Sequence, residues 1–291
     1  MTAQIIDGKK VSAEILKRIA RDAAESKSEC QKVPGLAVIL VGSDPASMVY
    51  VRNKNRQCRE MGFALFEKTL PASATENQLL ELIDDLNRNE SVNGILVQLP
   101  LPRHITSRRV LEAVDPAKDV DGFHPINAGR LARGGDGLFP CTPLGIVELL
   151  DYYKIDIQGK HAVILGRSNI VGKPLAFLLL RRNATVTLCH SYTKNLPELA
   201  QSADLLVAAV GKAGFVTAEM VQPGAVVIDV GIHRRTDGKL TGDVDFGPVA
   251  EKAAYVTPVP GGVGPMTIAM LMNNTLKAFM EKMNRDRARA V

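Results

Sequence analysis

The sequence is poor in the residues that nucleic-acid-binding and secreted proteins depend on. It contains no tryptophan, and aromatic residues occupy only 4% of its 291 positions. These few rings do not alternate with basic residues, which argues against base stacking and hence against a nucleic-acid partner. The formal net charge of +5 is therefore better suited to small anionic ligands.

Cysteines and long apolar runs are also scarce. The four cysteines (Cys30, Cys58, Cys141 and Cys189) lie far apart, with no CxxC pair and no histidine at metal-ligand spacing. This pattern argues against a disulfide framework and against a metal site, and favours a reducing compartment. No run approaches membrane-spanning length, and the first ten residues lack the apolar core of a signal peptide. We therefore expect a cytoplasmic protein that does not bind membranes.

What the chain does contain is a regular alternation of apolar segments and amphipathic helices. Hydrophobic residues make up 46% of the sequence and charged residues 23%, which is typical of a globular protein. Strands are predicted at 36–41, 63–70, 94–98, 162–165, 184–189, 204–210 and 225–230, with helices between them. This order predicts two α/β domains, each with a largely parallel sheet. Loops are predicted between Asp115 and Pro143, where glycine and proline interrupt the pattern.

The second group of strands predicts a Rossmann-like nucleotide-binding domain over residues 141–265. Residues 1–140 and 266–291 are assigned to a first, catalytic domain. A linking helix is predicted from Pro143 to Lys154. The last helix, from Met266 to about Met283, is expected to return to the first domain, because four strands already complete the second sheet. The tail at 284–291 is expected to be a solvated helix end.

The turn after residue 165 has the features of a phosphate-binding loop. Gly166, Ser168 and Gly172 follow a buried strand, and Pro174 stands in the first turn of the next helix. Free backbone N–H groups and the positive end of a helix suit a phosphate. Ser168 replaces the usual middle glycine, however, and Gly172 comes one position late. An ordinary strand-to-helix connection therefore remains an alternative.

The next strand bears on which dinucleotide would bind. An NAD site usually has an acidic residue about 20 positions after the loop, to bind the ribose. Here the strand ends in Cys189, His190 and Ser191, and Arg167 lies inside the turn. A missing carboxylate and a nearby arginine favour NADP over NAD. The alternative is that Arg167 is only a solvated loop charge.

A lysine lies on the apolar side of the predicted helix from Ala46 to Met61. At about 100° per residue, one side of this helix carries Ser47, Tyr50, Val51, Lys54, Cys58 and Met61. The remaining positions are Arg52, Asn53, Asn55, Arg56 and Arg59. Lys54 either extends to solvent or is held in a cleft, where desolvation disfavours an ammonium and brings proton transfer near neutrality within reach. The residues alone leave both interpretations open.

Two further polar residues follow predicted strands or turns. Gln98 ends the third strand, and ligands bind beyond the carboxyl ends of parallel strands. Asp121 lies in a DVDGFHP stretch, where Gly122 allows a close turn; it is either a ligand-binding carboxylate or an Asx-turn cap. His124 and His190 have no nucleophile beside them in the pattern and are interpreted as structural.

Six stretches together resemble one family. They are YVRNK (50–54), VQLPLP (97–102), DVDGFHP (119–125), PCTPLG (140–145), GRSNIVGKP (166–174) and PVPGGVGPMT (258–267). In this order they resemble the methylenetetrahydrofolate dehydrogenase/cyclohydrolase family, from about Ile5 to about Lys277. The resemblance implies oxidation of 5,10-methylenetetrahydrofolate to the methenyl form with NADP, followed by hydrolysis to 10-formyltetrahydrofolate. It also implies folate substrates, including polyglutamylated ones, and a homodimer, with Ile170–Val171 as the first place to look for the interface.

The resemblance also assigns roles to individual residues. Lys54 would transfer protons in the hydrolysis, Tyr50 would stack on the folate rings, Gln98 would hydrogen-bond Lys54, and Asp121 would accept pterin N–H groups. Further substrate contacts would come from Ser47, Leu99, Pro260, Gly261 and Gly264. Cofactor contacts would come from Thr142, Gly166, Arg167, Ser168, Gly172, Ser191, Gly231 and Ile232.

Two other functions share the nucleotide-binding fold. One is a two-domain dehydrogenase of the shikimate type, and the other is an NADP-binding module without enzymatic activity. The shikimate-type dehydrogenase gives no reason for the YVRNK and PVPGGVGP stretches.

Overall fold

The computed structural model describes residues 2–289, apart from the side chains of residues 29, 30, 46 and 289. Its regular elements, in chain order, are β1 (Gln4–Ile5), α1 (Gly8–Cys30), β2 (Gly35–Val41), α2 (Pro45–Glu60), β3 (Ala64–Leu70), α3 (Glu76–Arg88), β4 (Gly94–Val97), α4 (Ser107–Ala113), α5 (Pro125–Ala132), α6 (Cys141–Tyr152), β5 (His161–Leu165), α7 (Gly172–Leu180), β6 (Thr185–Cys189), α8 (Leu196–Gln201), β7 (Leu205–Ala208), β8 (Val226–Asp229), β9 (His233–Arg234), β10 (Leu240–Thr241), α9 (Phe246–Lys252), β11 (Tyr255–Val256) and α10 (Val263–Arg289). A short 3-10 helix covers Ala218–Met220.

Two compact units make up the chain. The three-strand unit comprises Glu14–Arg130, Gly135–Cys141 and Met270–Val291. The six-strand unit comprises Met1–Ala13, Leu131–Gly134 and Thr142–Ala269. Both are α/β structures, as predicted.

The three-strand unit is built on a parallel sheet with the strand order β3-β2-β4. All seven residues of β2 are buried, which explains their unbroken apolar run. The final helix packs against α1 in this unit, where the Ser26 hydroxyl donates to the Met280 sulfur at 3.6 Å. The expectation that the last helix returns to the first domain is therefore confirmed.

The six-strand unit holds a parallel sheet with the order β1-β11-β8-β7-β5-β6. The prediction that four strands complete this sheet was wrong. β1 and β11 extend it by one edge, and each is only two residues long. Strands of two residues leave no periodic pattern in the sequence, so their pairing could not be read from it.

The segment from Asp115 to Pro143 is less irregular than predicted, because α5 lies within it. His124 begins this helix: its ring Nδ1 accepts the Ile126 N–H at 3.1 Å, and its carbonyl accepts the Ala128 N–H at 3.0 Å. Pro125 occupies the first turn, where a missing N–H costs nothing. The interpretation of His124 as structural agrees with this capping.

Two predicted helices differ at their ends. The linking helix begins at Cys141, and the final helix runs from Val263 to Arg289, beyond both predicted ends. Residues 284–288 are exposed, as expected for a solvated helix end, and 290 and 291 lie outside the described residues. Within residues 2–289, no helix combines the length and apolar character needed to cross a membrane.

Candidate active site

The α2 helix begins with a side-chain cap and a proline. The Asp44 carboxylate accepts the Ser47 N–H at 2.8 Å, and Pro45 follows in the first turn. The Ser47 side chain is buried. The cap fixes where the helix starts and hence which of its residues face the sheet.

The buried face of α2 differs from the predicted one. Asn55, expected on the exposed side, is only 4% exposed, and its Nδ2 donates to Glu67 of β3 at 2.8 Å. Tyr50, expected on the buried side, is 47% exposed. Both differences follow if the buried face is turned by roughly 40° toward Asn55, which packs against β3. Lys54 then lies at the edge of that face, where it is partly buried.

Lys54 and Gln98 meet in the three-strand unit. Lys54 Nζ donates to Gln98 Oε1 at 3.0 Å, and Gln98 Nε2 donates to the Leu99 carbonyl at 2.6 Å. Because the amide nitrogen is engaged by Leu99, the amide oxygen is directed to Lys54. The predicted contact between Lys54 and Gln98 is present, and the Lys54 amine is held in place rather than extended freely into solvent.

The DVD stretch contains two carboxylates with different surroundings. Asp119 is buried and accepts the N–H groups of Gly122, Phe123 and His124 at 3.1, 3.2 and 2.8 Å. It also accepts Asn127 Nδ2 at 3.0 Å. The Asx-turn cap that was considered for Asp121 is thus provided by Asp119, which the sequence analysis did not single out.

Asp121 lies within electrostatic reach of Lys54. Burial raises the pKa of its carboxyl to about 6, and Lys54 opposes this shift while Asp119 adds to it. Asp121 is also the leading charge acting on the Cys141 thiol, whose pKa is raised well above its ordinary value, chiefly by burial. Within the three-strand unit, Lys54 is thus hydrogen-bonded to Gln98 and interacts electrostatically with Asp121.

The turn after β5 is drawn tight by two glycines. Gly166 has a φ of +120°, and a Cβ at this position would lie 2.2 Å from the Ala209 carbonyl oxygen. A Cβ at Gly172 would lie 1.9 Å from the Gly166 carbonyl oxygen. Ser168 Oγ accepts the Val171 N–H at 3.1 Å and so caps the entry to α7. Neither glycine can be replaced without moving backbone.

A cavity of about 300 Å³ opens beside this turn. Its lining includes Gly166, Arg167, Ser191 and Lys212, so that two cations and a hydroxyl surround it. The Arg167 guanidinium lies 5.8 Å from the centre of the Tyr192 ring. The sequence analysis did not identify Lys212. The available signal was its position in a VGK stretch four residues after the end of β7.

A second cavity, of about 130 Å³, lies at the carboxyl ends of β1, β8 and β11. It brings together five residues with predicted cofactor or substrate contacts: Gly231, Ile232, Pro260, Gly261 and Gly264. The same unit contains Thr142, whose hydroxyl lies 3.2 Å from that of Thr267.

Two buried aspartates hold the loops around these cavities, and sequence reasoning missed both. Asp243 accepts the N–H groups of Val210, Gly211 and Lys212 at 2.6, 2.9 and 3.0 Å, and pairs with His233 Nε2 at 2.7 Å. Asp229 accepts three backbone N–H groups, those of Gly231, Asp243 and Val244. Burial nevertheless raises the pKa of the Asp229 carboxyl to about 6.

Within residues 2–289, no group of three or more His, Cys, Asp or Glu side chains is placed to hold a metal ion.

Comparison with known proteins shows which family this chain belongs to. The family model for the catalytic domain of tetrahydrofolate dehydrogenase/cyclohydrolase matches residues 6–121, and that for the NAD(P)-binding domain matches residues 140–283. The chain belongs to the tetrahydrofolate dehydrogenase/cyclohydrolase family. It is a bifunctional enzyme that combines dehydrogenase and cyclohydrolase activities on methylenetetrahydrofolate. This places it in folate-dependent one-carbon metabolism, as the sequence resemblance implied.

Similarity to individual members extends over nearly the whole chain. The bifunctional protein FolD of Campylobacter concisus is 55% identical over 283 residues, covering 97% of this chain and 100% of that protein. The crystal structure of the Campylobacter jejuni FolD has a TM-score of 0.95 at 49% identity and covers 96% of this chain and 99% of its own. The Trypanosoma brucei enzyme, solved with NADP and an inhibitor, has a TM-score of 0.92 at 38% identity, with 97% and 99% covered.

Two more distant structures bear on the cofactor and on the alternative function. The methylenetetrahydrofolate dehydrogenase of Saccharomyces cerevisiae is described as NAD-dependent; it has a TM-score of 0.80 at 25% identity, with 97% and 98% covered. This chain therefore has an NAD(P)-binding domain, and its relatives include one solved with NADP and one described as NAD-dependent. Shikimate 5-dehydrogenase of Thermus thermophilus, at 17% identity and a TM-score of 0.50, covers 86% of this chain and 99% of its own and shares the fold alone.

Proposed function

We propose that this dehydrogenase/cyclohydrolase uses NADP and that Lys54, Gln98 and Asp121 are its central catalytic and substrate-binding residues. The observation that carries this proposal is the Lys54 Nζ–Gln98 Oε1 hydrogen bond of 3.0 Å, together with the electrostatic interaction between Lys54 and the partly buried Asp121 carboxyl. A lysine amine, a hydrogen-bond acceptor that orients it and a carboxylate within reach supply what a methenyl hydrolysis needs.

NADP fits the six-strand unit better than NAD. The tight turn at Gly166–Gly172 and the start of α7 suit a pyrophosphate, because backbone N–H groups and the helix dipole favour an anion there. Arg167, Ser191 and Lys212 line the adjacent cavity with charge and a hydroxyl, which suits a ribose phosphate. When bound, NADP accepts the hydride that leaves the methylene carbon of the substrate. Thr142, Gly231 and Ile232 are proposed to line the nicotinamide.

Hydrolysis of the methenyl group requires proton movement at one oxygen, that of the added water, and at one nitrogen. Water adds to the electrophilic carbon, and Lys54 Nζ takes a proton from that water. The bond from this carbon to N5 then breaks as the added hydroxyl releases its proton to solvent and becomes the formyl carbonyl. Lys54 Nζ returns its proton to N5, and the formyl group remains on N10. The bond to Gln98 Oε1 keeps Nζ at one position through both transfers.

Asp121 is proposed to orient the folate. An ionised carboxylate accepts two parallel N–H groups from the cyclic guanidine of a pterin, in a charge-assisted geometry. Tyr50, with 47% of its surface exposed, is available to stack on the folate rings. Ser47, Leu99, Pro260, Gly261 and Gly264 complete the proposed substrate contacts.

Steady-state kinetics with both cofactors test this function. Reduced-nicotinamide absorbance is followed after adding 5,10-methylenetetrahydrofolate with NADP or with NAD, and decay of the methenyl absorbance is followed afterwards. We expect a higher kcat/KM with NADP, followed by hydrolysis. Equal or better use of NAD would refute the cofactor assignment, and methenyl decay that is undiminished in a Lys54→Met variant would refute the assignment of Lys54.

We also propose a cytoplasmic homodimer, with residues 1–140 and 266–291 as the folate-binding domain and 141–265 as the NADP-binding domain. Exposed apolar side chains around α7 support dimerisation through the NADP-binding domain. Ile170 is 44% exposed and Leu180 is 51% exposed. Sedimentation velocity should give the mass of two chains, and an Ile170→Glu variant should give the mass of one.

A further inference from the structure

The α10 helix carries a buried amide that holds the backbone next to Asp121. Asn274 is 1% exposed, and its Nδ2 donates to the Val120 carbonyl at 2.8 Å and to the Phe139 carbonyl at 2.9 Å. Both amide hydrogens are therefore committed to backbone oxygens from two different segments. The Cys141 thiol donates to the same Val120 carbonyl at 3.3 Å.

These two segments are in direct contact. Gly122 has a φ of +74°, and a Cβ on it would lie 2.3 Å from the Phe139 carbonyl carbon. The turn that contains Asp121 is thus packed on the backbone of Phe139, and no side chain would fit at position 122. The Asn274 amide bridges the two segments from the side of α10.

The Val120 carbonyl belongs to the peptide group that joins Val120 to Asp121. Because a peptide group is planar, fixing this oxygen fixes the position of the Asp121 nitrogen and restricts the direction of its side chain. A carboxylate that must accept two N–H groups from a planar ligand tolerates little displacement.

We propose that Asn274 is a positioning residue that sets the folate affinity of the enzyme by orienting Asp121. The proposal rests on the folate-binding role proposed above for Asp121. It assigns a function to a buried helix residue whose amide hydrogens are both bonded to backbone oxygens.

An Asn274→Leu variant tests the proposal, since leucine has a similar volume and no donor. We expect the KM for methylenetetrahydrofolate to rise about 10- to 100-fold, because small misplacements of binding groups have effects of this size. The dissociation constant for NADP should stay unchanged. Thr275→Val is the matched control: Thr275 is equally buried on the same helix, and its hydroxyl donates only within the helix, to Leu271 O at 2.8 Å.

A double-mutant cycle with Asp121→Ala separates positioning from general structural damage. If Asn274 acts through Asp121, Asn274→Leu should raise the folate KM in the wild-type background and have little further effect once Asp121 is absent. Additive effects on KM, or an effect no larger than that of Thr275→Val, would overturn the proposal. If Asp121→Ala leaves the KM unchanged, the role of Asp121 itself is wrong, and the positioning proposal falls with it.

A second variant covers loss of folding in the first. NADP binding and the thermal midpoint report whether Asn274→Leu folds. If it does not, Cys141→Ala, which removes the other donor to the Val120 carbonyl, goes through the same cycle. A rise in folate KM caused by Cys141→Ala, smaller than the 10- to 100-fold expected for Asn274→Leu and absent in the Asp121→Ala background, supports the proposal. An additive rise, or no rise, overturns it.

Discussion

The raised pKa of Asp121 predicts that ionisation of this carboxyl destabilises the folded enzyme, so that a variant without the charge is more stable. Burial moves the pKa from its ordinary value of 3.8 to about 6 in the folded protein. A difference of about two pH units corresponds to about 3 kcal/mol of unfolding free energy at neutral pH. Asp121→Asn removes the ionisation while keeping the shape of the side chain, and should therefore recover up to this amount.

The pH dependence gives the sign of the effect. Below about pH 4 the carboxyl is protonated in both folded and unfolded chains, so its ionisation costs nothing. As pH rises from about 4 to about 6, the unfolded chain loses its proton first, and the free energy of unfolding of the wild type falls. The stability difference between Asp121→Asn and wild type should therefore grow over this range and stay constant above it.

Urea unfolding followed by circular dichroism, at intervals from pH 4 to pH 8, measures this difference. Asp136→Asn, a substitution at an exposed aspartate of the same unit, is the control for the loss of one negative charge. The folate KM of Asp121→Asn should rise although its stability increases. A difference that is constant with pH, or that shrinks from pH 4 to 6, would refute the reasoning.

Three further substitutions test other parts of the site. Lys54→Met should abolish methenyl hydrolysis while NADP binding and the thermal midpoint remain; stopped-flow decay of the methenyl absorbance measures it, and undiminished hydrolysis would remove Lys54 from its role. Arg167→Ala should weaken NADP by about 10-fold or more and NAD much less, since a charged phosphate contact is worth about 1.5–3 kcal/mol; equal losses in titrations of both would contradict it. Gly166→Ala should abolish cofactor binding or folding because its Cβ would meet Ala209 at 2.2 Å, whereas Gly214→Ala, also at positive φ but with open space around it, should be mild in the same binding assay.

The site residues that the sequence analysis singled out are those with a pattern among neighbouring residues of the chain. Lys54 could be placed from helix periodicity, and Gln98 from its position at the end of an apolar strand. The turn at Gly166 follows from a strand, a glycine pair and a proline in close succession. In each case the residues that carry the signal are neighbours in the chain.

The parts that escaped prediction depend on contacts between distant residues. Asp243 holds the N–H groups of residues 210–212, more than 30 positions earlier, and no local pattern reveals which loop it serves. Asn55 is buried because Glu67 of a neighbouring strand accepts its amide, so that a polar residue lies on the packed face of α2. Helical periodicity alone assigns such a residue to solvent.

Asp119 and Asp121, two positions apart, lead to opposite predictions for the same substitution. Each oxygen of Asp119 accepts two hydrogen bonds: one accepts the N–H groups of Gly122 and Phe123, and the other accepts the His124 N–H and Asn127 Nδ2. Whichever oxygen an asparagine amide replaces, two buried donors lose their acceptor and face another donor. Burial also raises the pKa of the Asp119 carboxyl, so removing its charge offsets part of this loss. The two unsatisfied donors outweigh that gain, and Asp119→Asn should cost about 2–4 kcal/mol of unfolding free energy at pH 7.

Urea unfolding at pH 7 compares the two substitutions directly, and folate KM is measured for both. Asp119→Asn should be less stable than wild type and Asp121→Asn more stable, yet both should bind folate weakly, the first because its turn no longer holds Asp121. The two substitutions differ because the hydrogen-bond donors of the turn are directed to Asp119. Asp121 is left to accept hydrogen bonds from the substrate, so in the folate-free enzyme the burial of its charge lowers stability. Equal stability changes in the two variants would show that the hydrogen bonds to Asp119 do not support this turn.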